Sequence, residues 1–591
     1  MENIGRYRNL WRYWNMNDQK PIGSVYSVDS RNAIVKVDSE SKLNNVQVNQ
    51  LVTIRSSRSG EEIIGLISKI MRRGVIGKID TEGENEVSIE NLMKINLIGT
   101  LIAKVGTKQN IFKRTLETVP NIQADCFLLQ RKKLTDFMNI ISNNSENPLK
   151  IGMYAISHNS AANLDGNKFF QRHAVIVGGT GSGKSWTVAN ILEKASGLRS
   201  VNSIIFDLHG EYSPLRELNN TKQLKIAGPS DTVKDENTIF LPYWLLTYEE
   251  TESLLLDRSD NNAPNLSKAL FDSIIANKRA GLESENREEI LDNFTVESPI
   301  PYDIKKVLTD LDTLDTEMIP GANNKQKQGS LHGKLTRFIQ RLKSKQTDKR
   351  LNFMFNEDKT LQKYEWLESL VGHLMNFGSS PGLKIIDFSE VPSDMLSLIT
   401  GLISRLIFSV QQWMPKTLRH PIALFCDEAH LYIPAVAKEI GEQKGLQSFE
   451  RIAKEGRKYG VSLVVISQRP SDVNKTVLSQ CGNFITMRLT NPDDQNVIKR
   501  LLPDNLGDLS DTLPILDIGE SLIVGDACLL PSRIKIDEPK YKPNSATINF
   551  WDEWQKSDKE NNTQGIKEAV ESLRRQQKHA IRMSSTPRAL S

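Results

Sequence analysis

Three patterns in the chain predict an α/β fold with a small β-barrel ahead of it. Short β-type runs recur about every 8–14 residues over 20–105, separated by turn residues. An apolar strand leads into a glycine-rich loop and then a helical pattern at 174–192. From 383 to 467, β-type runs alternate with helical stretches, the sequence signature of a parallel sheet with crossover helices.

The first β-type runs are Ile22–Val28, Ala33–Val37, Leu51–Ile54 and Ile63–Ile67. Residues 106–165 read as mixed, with an Asn/Ser-rich stretch at 140–147 and a turn-rich one at 157–166. The boundary between barrel and core is expected between 145 and 170. A second strand, Ser203–Asp207, follows the glycine loop, and helical patterns then dominate from about 246 to 375. Thr247 and Glu250 are spaced as a capping box that opens one of these helices. With β-type residues resuming at Leu383–Phe388, the simplest account is a helical insertion of about 130 residues inside the core. Helix 394–413, strand 421–427, helix 440–458 and strand 461–467 complete the alternation. The expected organisation is a barrel with a mixed extension (1–150), a core (151–245 and 380–540), an insertion (246–379) and a helical tail (541–591). The tail carries Trp551, Trp554 and a basic run at 574–578.

Composition narrows the class of protein. Among 591 residues, 38% are hydrophobic and 25% charged, ordinary values for a soluble globular chain. A net charge of +4 is too small to mark the whole chain as nucleic-acid binding, so any such patch is local. Four scattered cysteines with no C-x-x-C pair fit a reducing cytoplasm and argue against disulfide or metal roles. The sequence reads as having no 18-residue apolar run and no signal-peptide start, so a cytoplasmic protein without a membrane partner is expected.

The chemistry is concentrated in a few short segments. Gly178-Gly179-Thr180-Gly181-Ser182-Gly183-Lys184-Ser185 is a full G-x-x-x-x-G-K-[ST] loop, followed by Trp186 at the start of a helix. Such a loop closes backbone N–H groups around phosphates, and the helix N-terminus adds partial positive charge. Lys184 is placed to reach the β- and γ-phosphates of a nucleotide, and the Ser185 hydroxyl to hold Mg²⁺. The fold is therefore expected to be a RecA-like P-loop NTPase core. Ile422–Cys426 is an apolar strand running into Asp427 and Glu428, which sets two carboxylates at the carboxyl edge of a parallel sheet. Asp427 suits the Mg²⁺ hydration shell, and Glu428 suits polarising an attacking water. Gln468 follows strand 461–467, where an amide can sense the γ-phosphate, or is simply a loop residue. Asp207 ends the strand after the loop helix and is a candidate for supporting metal or water.

Three arginines stay open to two readings, solvated charge or an arginine delivered to a neighbouring subunit's nucleotide. Arg172 precedes the loop strand, at the end far from the phosphates, while Arg451 and Arg457 lie on the helix after the acidic strand. Residues 322–350 carry nine Lys/Arg against one acid, Asp348, which is either a DNA-backbone stripe or a solvated helix face. Asn474-Lys475-Thr476-Val477 lacks the terminal Asp of a guanine-reading N-K-x-D, and 478–482 is not the L-S-G-G-Q signature, so GTPase and ABC-type readings are disfavoured.

The order of Arg172–Ser185, Phe206-Asp207-Leu208-His209-Gly210-Glu211-Tyr212, Asp427-Glu428-Ala429-His430, Arg451–Gly460 and Ser467-Gln468-Arg469-Pro470 resembles the HerA family of the HerA/FtsK group. The likeness covers about 1–540, and its β-rich start is similar to that family's N-terminal barrel, the HAS barrel. It departs at Lys454, where the family often has Arg, which shifts weight to Arg451 and Arg457. The resemblance implies an ATP- and Mg²⁺-dependent motor that works as a homohexameric ring on duplex DNA. It also implies ATP sites shared between subunits, with Arg172 and Arg451 as trans or sensor arginines. A nuclease or a sirtuin-like, NAD-consuming effector is the implied partner, in DNA end processing or antiviral defence. The runner-up is an ATP-regulated scaffold that activates such an effector with little translocation.

Overall fold

The computed structural model describes residues 20–76, 87–102, 110–142, 146–231, 235–256, 263–320, 326–375, 382–501, 510–545, 548–555 and 563–576. Within the first 128 residues, seven strands form: β1 (Gly23–Val28), β2 (Asn32–Val37), β3 (Leu51–Arg55), β4 (Glu61–Ile76), β5 (Val87–Ile102), β6 (Ile111–Lys113) and β7 (Asp125–Leu128). Their order is β2-β1-β7-β3-β4-β5-β6, and an antiparallel β2–β5 pairing closes six of them into a barrel. Alternate residues point inward, so Val25, Val35, Ile54, Ile63, Met93, Ile95 and Cys126 make a solid core. All four sequence-expected strands are present. Closure by β5 was not legible, because it joins residues such as Ala33 and Ile95 that lie far apart in sequence.

The remaining strands are β8 (Pro148–Tyr154), β9 (Ser157–Asp165), β10 (Ala174–Val177), β11 (Ser203–Asp207), β12 (Thr221–Ile226), β13 (Thr238–Ile239), β14 (Met318–Pro320), β15 (Gln326–Gln328), β16 (Leu383–Asp387), β17 (Ile422–Cys426), β18 (Val461–Ser467), β19 (Asn483–Thr486), β20 (Glu520–Gly525) and β21 (Ser532–Ile536). The chain divides into two compact units, the first comprising 1–194, 467–471 and 478–540, and the second the rest.

In the first unit β10 pairs in parallel with β19, and β20, β21, β8 and β9 continue antiparallel beyond it. The turn-rich reading of 157–166 is corrected here, because 157–165 is strand β9. Pairing with β8 overrides local composition, and the small side chains of Ser160 and Ala162 are fully buried.

In the second unit β13, β12, β16, β11, β17 and β18 pair in parallel. The apolar runs of β11, β17 and β18 are buried end to end, as expected of central strands covered on both faces. The helical stretch before β16 contains the expected capping box. Thr247 Oγ1 accepts from the Glu250 amide at 3.1 Å, and Glu250 Oε2 accepts from the Thr247 amide at 2.8 Å.

Helix Leu396–Trp413 corrects the reading of no long apolar run, since 393–413 is long and apolar enough to cross a membrane. Of its apolar window 72% is buried inside the protein, so its apolar character is that of a core helix. It meets helix Ile440–Tyr459 backbone to backbone: a Cβ on Gly445 would lie 2.1 Å from Ser397 O, and one on Gly401 would lie 2.4 Å from Gly445 Cα.

Candidate nucleotide site

The first unit supplies the phosphate loop. Four buried residues of β10 bring the chain to Gly178, and helix Lys184–Ser196 begins at the lysine of the motif. The loop turns through left-handed backbone at Gly181 (φ 71°) and Gly183 (φ 102°). Its shape is held by the protein itself. The Gly178 amide donates to Ser467 O at 3.4 Å, the Gly179 amide to Arg488 O at 2.9 Å and the Ser182 amide to Gly179 O at 3.2 Å. The Gly519 amide in turn donates to Ser182 O at 2.9 Å. A Cβ on Gly178 would meet Ser182 Oγ at 2.5 Å and Met487 Cβ at 2.8 Å, so the close turn tolerates no side chain. Lys184 is buried, and Ser185 and Trp186 are half-buried at the helix start. Thr180 Oγ1 donates to Gln468 Oε1 at 2.8 Å, which brings together two residues 288 positions apart.

The second unit supplies the carboxylates. Asp427 and Glu428 follow β17 directly and are both buried. Glu428 adopts left-handed backbone (φ 44°, ψ 44°), an uncommon state for a residue with a Cβ. Tyr432 Oη donates to Asp427 O at 2.8 Å, the Leu431 amide donates to Glu428 O at 2.9 Å, and His430 Nδ1 lies 3.4 Å from Glu428 Oε2.

Asp207, at the end of β11, has no exposure. Its two oxygens accept the Glu211 and Tyr212 amides, each at 3.0 Å, which pins the Leu208–Tyr212 loop. Burial pushes its pKa up to about 6, and the neighbouring Asp387 carboxylate pushes the same way, against the amide hydrogen bonds. Asp387 pairs with Asp207 in strand register and is a second carboxylate at this edge that sequence reading passed over.

The arginines are placed as follows. Arg172 caps helix Gly166–Gln171 at the start of β10, opposite the loop end, with its guanidinium 3.5 Å from Asp526. Arg451 is exposed on helix Ile440–Tyr459, stacked over the Phe408 ring at 5.0 Å and bonded to Gln412 Oε1 at 2.9 Å. Arg457 is exposed in the last turn of the same helix. Of the basic stripe, Lys325 lies outside the described residues. Helix Thr336–Thr347 turns Phe338, Ile339 and Leu342 inward and leaves Arg337 and Arg341 exposed. Lys343 and Arg350 are paired with Asp312 and Asp348. Among the described residues no group of three or more His, Cys, Asp or Glu could hold a metal, and the four cysteines are buried thiols.

A glycine loop shaped for phosphate, opening a helix on a buried parallel strand, together with an acidic pair ending another, defines a P-loop NTPase. Residues 149–407 match the family described as helicase HerA, central domain, and 415–531 match the helicase HerA-like C-terminal domain. These two domains together span most of the chain, which belongs to the HerA family and is an ATP-hydrolysing enzyme. Over 514 residues it is 26% identical to a Methanocaldococcus jannaschii protein called a "Probable helicase", covering 83% of this chain and 86% of that one. Over 408 residues it is 27% identical to the Sulfolobus acidocaldarius protein called DNA double-strand break repair helicase HerA, covering 66% and 69%. Among solved structures, VirB4 of Thermoanaerobacter pseudethanolicus aligns at 17% identity and a TM-score of 0.42, over 68% of this chain and 98% of that one.

Proposed function

We propose that the protein is an ATP-driven motor that moves duplex DNA as a homohexameric ring in the cytoplasm, coupled to a nuclease or NAD-consuming effector. The observation that carries this reading is the phosphate loop and the Asp427–Glu428 pair occurring inside two HerA domains. Relatives named as DNA double-strand break repair helicases support the DNA part. The residues present suit ATP and Mg²⁺: the turn at Gly178 excludes a Cβ, and the loop opens a helix whose first residues are Lys184 and Ser185. Lys184 and the amides of Thr180, Gly181, Gly183, Lys184 and Ser185 bind phosphate, while the Gly178, Gly179 and Ser182 amides shape the loop. Ser185 and Asp427 hold Mg²⁺, which supplies charge neutralisation at the phosphates, and Asp207 steadies the neighbouring loop. Glu428 polarises the attacking water and Gln468 orients it, whereas Arg172, Arg451 and Arg457 act across the subunit boundary.

ATP turnover measured with and without duplex DNA at two salt concentrations tests the reading. A motor shows stimulation by DNA that weakens as salt rises. Turnover indifferent to DNA, with effector binding intact, would instead select an ATP-regulated scaffold.

A further inference from the structure

The side of the phosphate loop turned toward the protein rests on a residue that no motif marks. Met487 directly follows β19, the parallel neighbour of β10, and has no exposed surface. Its amide donates to Val177 O at 2.8 Å, which anchors it at the point where β10 becomes the loop. Its side chain then runs along the loop. A Cβ on Gly178 would lie 2.8 Å from Met487 Cβ, and a Cβ on Gly183 would lie 3.1 Å from Met487 Cε. The sulfur receives the Thr187 hydroxyl at 3.5 Å and lies 4.0 Å from Ser182 Oγ. Ser182 and Thr187 thus meet one unbranched side chain that also closes the space beside Gly178 and Gly183, and its flexible thioether can fill an irregular concave space.

We propose that Met487 is a positioning residue for ATP binding. It fills the hollow beneath the loop and holds Gly178, Ser182 and Gly183 in the phosphate-binding curve. Arg488 O, from the next residue, and the Gly519 amide, from the turn before β20, clamp the same curve at 2.9 Å each. A shorter side chain leaves space into which the loop relaxes, so nucleotide binds less tightly in ground and transition states alike. This inference rests on the ATPase reading, and a wild-type protein that turns over no ATP would overturn that reading first.

The test is steady-state ATP turnover of the full chain, with fluorescence titration of a non-hydrolysable ATP analogue and a thermal melt to establish folding. Loss of uniform binding raises KM with kcat held, so Met487→Ala is expected to raise KM and the analogue Kd on the order of tenfold, with kcat changed less than about twofold. Met487→Leu, which restores most of the volume, is expected to return both constants to near wild type. A folded Met487→Ala protein with wild-type KM and Kd would overturn the proposal, as would a loss confined to kcat. If Met487→Ala does not fold, Met487→Ile serves instead. It keeps the volume but adds a branch at Cβ, against Gly178, so the same rise in KM is expected and wild-type constants overturn the idea.

Discussion

In the phosphate loop, left-handed backbone falls on Gly181 (φ 71°) and Gly183 (φ 102°), whereas in the acidic motif it falls on Glu428 (φ 44°, ψ 44°). Glycine takes such angles without steric cost, but a residue with a Cβ gives up roughly 1–2 kcal/mol there. The loop is thus built from residues that suit its shape. The acidic turn instead places a residue with a Cβ in that backbone, and its surroundings hold it. Buried β17 fixes the approach, Tyr432 Oη bonds Asp427 O, and the Leu431 and Ile433 amides bond Glu428 O and Ala429 O. Strain retained at a non-glycine position is characteristic of sites where the side chain matters more than the backbone.

The contrast predicts distinct failures. The largest follows Glu428→Gln, which keeps shape and removes the carboxylate. ATP turnover is expected to fall roughly 10²-fold or more while ATP analogue affinity stays near wild type. Unchanged turnover would take the base role away from Glu428. Next is Gly183→Ala, which sets a Cβ at φ 102° and against Met487 Cε. Strain of about 1–3 kcal/mol is expected to weaken nucleotide affinity about 5- to 150-fold, and a titration showing wild-type affinity would mean the loop tolerates a side chain there.

The smallest effect concerns pH. Burial makes the folded protein hold the Asp207 proton more tightly than the unfolded chain, with a pKa of about 6 against an ordinary 3.8. Ionising Asp207 therefore costs stability as pH rises from about 4 to about 6, where the folded state binds more protons. In Asp207→Asn that decline is expected to flatten by about 2 kcal/mol. Denaturant melts at pH 4 and pH 6 check it, and an equal decline in both proteins would remove Asp207 as its source.

The parallel strands and the phosphate loop were legible because each is a local pattern, a buried apolar run ended by a distinctive polar residue. β11, β16, β17 and β18 all lie where the periodicity placed them. Elements that depend on distant partners were not legible. β9 reads as a turn until β8 lies beside it, and the barrel closes only through the β2–β5 pairing. Lys184 and Ser185 in the first unit and Asp427 and Glu428 in the second announce themselves by motif, whereas Met487 in the first and Asp387 in the second have none. A sequence signal did exist near Gly519, where Asp517-Ile518-Gly519-Glu520 has the composition of a turn. It said nothing of the Ser182 carbonyl that the turn reaches. Arg451 also needed coordinates, since its stacking on Phe408 and its bond to Gln412 tie it to another helix.

That tie lies on the same pair of helices that meet at Gly401 and Gly445. At that crossing the two backbones meet without an intervening side chain, and Arg451 adds a side-chain tie to Phe408 and Gln412 farther along the same pair. One helix carries Arg451 and Arg457 and leads directly into β18, and the other leads through a short loop into β17 and the acidic pair. Arg451 and Arg457 are thereby tied, through the Gly401–Gly445 approach, to the helix that precedes the strand ending in Asp427 and Glu428.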